Sequence, residues 1–156
     1  MANTNSTQHA QLAPQNGQLR NCWGTREIAA AQSGSDTVTF FTIPAGTTVH
    51  GGWLRGDDID TGTEVLEIDI GDSSSSTRFL NSGALTGDAV TGTKPEVGIA
   101  TPLFGTLKDG PYTYTSDTDI IGTVAVAANG GGTGTLTLTM DTTYQDVRVT
   151  PPTKPL

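Results

Sequence analysis

One cysteine, Cys22, stands in the whole chain, so an intrachain disulfide is excluded. Histidine is almost as scarce, with only His9 and His50, which leaves too few ligands for a Cys/His zinc site. Basic residues are few as well: 8 Lys+Arg stand against 16 Asp+Glu, for a net charge of −8. The bases do not cluster. A surface of that sign repels phosphate and offers no basic amphipathic helix, so neither nucleic acid nor a membrane is expected as a partner. No apolar run approaches the roughly 20 residues that cross a bilayer. The start, MANTNSTQHAQLAPQNGQ, lacks a charged n-region followed by an apolar h-region. No signal peptide is expected, and synthesis in a cytoplasm is. Aromatics at 6% and hydrophobics at 34% are low, which limits the core to a small, flat one. The usual helix formers Leu, Lys, Glu and Arg are sparse.

What the chain does have is glycine, 20 residues of it, and still more threonine. Threonine suits a pleated, half-wet surface, and glycine supplies turns. With 156 residues, this composition describes one all-β domain with many turns. Asp36 to Ile43 (DTVTFFTI) alternates, with Val38 and Phe40 on one face and Thr37, Thr39 and Phe41 on the other. Pro44-Ala45-Gly46 makes a turn, and Val49 to Arg55 a second strand. Glu64 to Ile70 (EVLEIDI) is the clearest element: Leu66, Ile68 and Ile70 point inward, and Glu67 and Asp69 point to water. Ser73 to Thr77 reads as a loop, and Arg78-Phe79-Leu80 as a brief helical turn capped by it. Val97 to Ala100 and Tyr112 to Thr115 are short strands. Asp119 to Ala128 and Thr135 to Tyr144, joined by Asn129 to Thr133 (NGGGT), read as a closing hairpin.

About eight short strands separated by turns imply a β-sandwich, jelly-roll-like. Residues 34–149 form the sandwich domain on this view. Residues 1–33 read as an extended N-terminal arm, with one or two helical turns at Glu27 to Gln32. Within the arm, Leu19, Cys22, Trp23 and Ile28 are apolar anchors in a polar stretch, so that Trp23 either packs on its own domain or docks the arm on a neighbouring subunit. Residues 150–156 form a Pro-rich tail that cannot join a ladder.

The stretch HGGWLRGDDIDTGTEVLEIDIGD is dense in carboxylates. Asp58-x-Asp60-x-Gly62 resembles a calcium loop, but Gly62 arrives one position early and the twelfth position holds no Glu. The acids around Asp57 to Asp60 read as turn residues, and calcium binding there stays an open alternative. No metal ligand and no cofactor is assigned. Paired carboxylates for glycoside hydrolysis lack anything to desolvate one of them. No base stands beside a Ser or Cys in a nucleophile's setting. The residues give no reason to expect an enzyme.

The stretch IPAGTTVHGGWLRGDDIDTGTEVLEIDIGDSSSSTRFL resembles small structural proteins of tailed bacteriophages that accompany the major capsid protein. The ending GTVAVAANGGGTGTLTLTMDTTY resembles their closing hairpin. The resemblance covers roughly residues 43–80 and 119–144. It implies a capsid decoration, or cement, protein on the outer surface of the virion. Such proteins bind the major capsid protein and clamp neighbouring capsomers, often as homotrimers. The expected interface residues are then Leu12, Leu19, Trp23 and Ile28, since large apolar side chains anchor interfaces. The alternative is a tail-fibre, spike or carbohydrate-binding sandwich whose site lies near Trp53, Tyr112 and Tyr114. Those aromatics are more simply read as sheet packing.

Overall fold

The computed structural model describes residues 7–9, 17–29, 33–56, 66–84, 99–103, 111–128 and 133–145. They form ten strands and no helix: β1 (Thr7–His9), β2 (Leu19–Ala29), β3 (Thr37–Ile43), β4 (Thr47–Gly56), β5 (Glu67–Asp72), β6 (Ser75–Ala84), β7 (Ile99–Pro102), β8 (Tyr112–Thr113), β9 (Thr118–Val126) and β10 (Thr133–Tyr144). All pairings are antiparallel. One sheet runs β1-β2-β10-β4-β7, with β8 also on β4, and the other runs β3-β9-β5-β6. The all-β sandwich expected from composition is what these two sheets build.

Most of the pairs nest. β5 pairs with β6 around a tight turn, β4 with β7 and β8, β3 with β9, and β2 with β10. The described strands from β2 to β10 therefore follow one long antiparallel ribbon folded back at Ser73–Ser74 and wrapped so that successive pairs alternate between the sheets. The core lies between them. Leu54, Leu136, Leu138 and Met140 face in from one sheet, and Phe40, Ile68, Ile70 and Ile120 from the other, all essentially sealed from solvent. Each such side chain stabilises the fold by roughly 1.5–3 kcal/mol.

Sequence alternation places most of these residues, and two β-bulges place the rest. In β3, Thr39 pairs with Ile121 and Phe41 with Ile120, which leaves Phe40 as an extra residue. The extra residue resets the alternation, so Phe40 and Phe41 are both buried although a regular strand would separate them. In β4, Val49 pairs with Thr142 and Gly51 with Asp141, so His50 is the extra residue. His50 is exposed, and its Nε2 lies 2.8 Å from the Thr143 hydroxyl.

Four expectations need correction. Leu19–Ala29 belongs to the sandwich and is not an arm: β2 pairs with β10 over its full eleven residues. Its polar composition hides the pattern, because the inward positions hold Cys22, Gly24 and Arg26 beside the one large aliphatic, Ile28. The sandwich thus begins well before residue 34. Glu27 to Ala29 continue the strand and form no helical turn, while 30–32 lie outside the described residues. Arg78-Phe79-Leu80 is likewise strand, inside β6, because Asp72 closes the turn early and frees Ser75 onward for pairing. Finally, β9 and β10 do not form a hairpin with each other; they lie in different sheets. Elsewhere in the expected arm, Thr7–His9 forms β1 beside β2, while residues 1–6, 10–16 and 30–32, the Asp57–Asp60 loop and the 150–156 tail lie outside the described residues.

Candidate functional site

Two features stand out above the packed core, one chemical and one a surface. The chemical one is a polar knot at the end of the sandwich. Asp72 ends β5, and its Oδ1 accepts hydrogen bonds from the backbone N–H groups of Ser74 (2.8 Å) and Ser75 (3.0 Å). Arg78, across the hairpin, donates to the same carboxylate through Nε and Nη2. Tyr114 donates its hydroxyl to Oδ2 at 2.8 Å. Tyr114 follows β8, and its backbone bonds to Gly46 and Thr47 at the start of β4. The knot therefore ties the β5–β6 hairpin of one sheet to β4 and β8 of the other. The Arg78 guanidinium lies 3.9 Å over the Tyr112 ring, and Tyr112 meets Tyr114 edge to face at 5.0 Å.

The electrostatics follow from this geometry. Burial pushes the Asp72 carboxyl up, but Arg78, Tyr114 and the two amides outweigh it and hold the group below its ordinary value. The Asp72 hydrogen bond raises Arg78. Burial, with the carboxylate beside it, pushes the Tyr114 hydroxyl far above its ordinary value. All three thus keep one protonation state through the physiological range. A carboxylate already saturated with donors has no proton to give and no lone pair to spare, so the knot suits structure and not acid–base work. A depression of about 490 Å³ beside it is lined by Asp72, Arg78, Tyr112, Asp117 and Asp119, among others. Its outer acids are also engaged: Asp117 accepts from the Ala45 N–H at 2.8 Å, and Asp119 from the Thr42 hydroxyl. Among the described residues no group of three or more His, Cys, Asp or Glu is placed to hold a metal.

The second feature is the outer face of the six-stranded sheet. Thr139 of β10 pairs with Trp23 on one side and Trp53 on the other. Both tryptophans point outward, 38% and 48% exposed, and the row continues in register to His9 of β1 and Pro102 of β7. Two strand spacings put the tryptophans about 10 Å apart across the sheet. Leu19, 68% exposed, heads β2 on the same side. The rest of the face is mostly threonine, with Thr25 and Thr137 hydroxyls 3.2 Å apart. Its outward-alternating charges on β2, β10 and β4 are Glu27, Asp141 and Arg55, and Asp141 is held by the Asn21 side-chain amide.

The residues singled out from sequence fare differently. Leu19 and Trp23 lie on this face. Ile28 is 2% exposed and belongs to the core, so it cannot meet a partner. Leu12 lies outside the described residues. Tyr112 and Tyr114 do pack, as expected, but Trp53 is exposed and shares a row with Trp23. Pairing Trp53 with Trp23 needs the register of two strands on β10, which no sequence pattern states.

No protein-family model matches the chain, and no curated protein matches it. Solved structures do. A chain of the cyanophage Pam1 capsid asymmetric unit superposes with a TM-score of 0.68 and 25% identity, over 93% of this chain and 100% of that one. A chain of the capsid of Ralstonia phage GP4 gives 0.67 at 12% identity, over 88% and 92%. A chain of the capsid of Helicobacter pylori bacteriophage KHP30 gives 0.51 at 17%, over 80% and 91%. Over most of its length, then, this chain has the sandwich found in bacteriophage capsid structures and is similar to a phage capsid-associated protein.

Proposed function

We propose that this chain is a structural protein of a phage virion that decorates the outer surface of the head, binds the major capsid protein and cements neighbouring capsomers. The observation that carries this reading is the Pam1 likeness: it extends over nearly all of this chain and all of the matched one. The matched chain is thus about as short as this one, which suits a small accessory component of a shell. The nested pairing of the strands supports a jelly-roll form for the sandwich. The Asp72 knot supports a passive role, because its best-placed carboxylate is committed to holding two sheets together.

Cementing works by adding buried interface between neighbours. A standard interface buries roughly 1,600 Å² in total. A homotrimer at a threefold position multiplies weak contacts through avidity. A net charge of −8 keeps many copies soluble and apart until they reach the shell. The test is to add purified chain to expanded heads of the parent phage that lack it. Saturable co-sedimentation, with a higher temperature of head disruption, is the expected result. Heads that neither take up the chain nor gain stability would overturn the proposal.

A further inference from the structure

We infer that the outer face of the six-stranded sheet, centred on the Trp23–Thr139–Trp53 row, is the surface that seats this chain on the capsid lattice. The inference rests on the attachment reading and adds to it which face makes the contact and with what chemistry. Three observations carry it. Large exposed hydrophobic residues gather there: Leu19, Trp23 and Trp53 share the face, and the row places both tryptophans of the chain at its centre. Tryptophan is the residue most enriched among interface anchors, and two at the middle of a flat patch with hydroxyls around them match the anatomy of a recognition surface.

Charge selects the occupant. The chain carries −8, yet the outward positions of β2, β10 and β4 hold only Glu27, Asp141 and Arg55. The face is nearly neutral on a strongly acidic body. A second copy would bring to it a body of the same charge sign. An uncharged or mildly basic protein surface does not, and Glu27 and Asp141 at the margin fit Lys or Arg across from them.

Area gives the third argument. The paired length of β10 with its two long neighbours and the short flanking strands presents roughly 700 Å². A stable two-body complex needs about 800 Å² per partner. One face alone falls somewhat short of that, which fits a component held by many equivalent contacts on a lattice.

The test measures binding to expanded heads of the parent phage that lack the chain, using wild type, Trp23→Ala, Trp53→Ala and the double variant. Trp53→Phe serves as the conservative control. Both side chains are exposed, so far-UV circular dichroism and melting should match the wild type. Each alanine variant is expected to weaken binding at least ten-fold, the double variant more, and Trp53→Phe much less. Wild-type binding that both alanine variants retain unchanged overturns this inference alone. Wild type that fails to bind overturns the attachment reading and this inference with it. If sedimentation shows that the alanine changes split a wild-type oligomer while head binding persists, the face joins copies to one another, and the assignment to the lattice is wrong.

Discussion

At the scale of single residues, Asp72 and Arg26 show how this chain manages buried charge with so little of it to spare. Asp72 is paired with Arg78 and satisfied by Tyr114 and two amides. Asp72→Asn withdraws the charge and leaves Arg78 facing a neutral group, and a loss of about 3 kcal/mol in denaturant unfolding is expected. The pH dependence has a definite sign. The folded carboxyl lies below its unfolded value, so its contribution is complete above about pH 4 and fades as the pH falls past that value and through the lower folded one. Wild type should therefore destabilise more steeply below pH 4 than Asp72→Asn, as followed by urea midpoints between pH 2.5 and 6. Arg26 solves the problem without a carboxylate. Its guanidinium reaches from β2 across to β3 and donates to the carbonyls of Thr39 and Phe40, with Thr25 receiving the third bond. The bulge at Phe40 turns that carbonyl toward it. Burial lowers the Arg26 pKa from its ordinary value.

At the scale of elements, β2 is the segment whose role changed most between sequence and structure. It is the inner neighbour of β10, and at Gly24 the two sheets come close enough that a Cβ would sit 2.9 Å from the Phe40 carbonyl oxygen and from Phe41 Cδ1. Gly24→Val should force the sheets apart and cost about 1–3 kcal/mol of stability by thermal melting. Truncation separates the strand from what precedes it. Removing residues 1–16 takes away only the short β1 among the described elements, and cooperative unfolding should survive. Removing residues 1–33 takes out β2 as well, exposes Leu136, Leu138 and Met140 along β10, and should abolish the cooperative transition. What could be read in advance follows from the same physics. EVLEIDI and TLTLTMDTTY declare themselves because period-2 alternation records which face is wet. LRNCWGTREIA does not, because its inward positions hold Cys, Gly and Arg. The bulge at Phe40 is invisible, since two adjacent Phe residues fit either parity. DIIGTVAVAA and TLTLTMDTTY look like a hairpin because alternation identifies a strand without naming its partner. Of the candidate surface, Trp23 was legible as an apolar residue in polar company. Its row with Trp53 was not, because that row is a property of register.

At the scale of the whole molecule, the chain is a thin sandwich with a modest core, a strong negative charge and one nearly neutral aromatic face. Its face with two exposed tryptophans suits adhesion. Its likeness to chains of phage capsids runs over most of its length, with the Pam1 chain matched in full. The most direct measurement is a cryo-EM reconstruction of the parent phage particle. This sandwich is expected on the outer surface of the head, grouped about threefold positions, with its Trp23 and Trp53 face turned toward the shell. A particle that lacks the sandwich, or holds it inside the shell, would contradict the account.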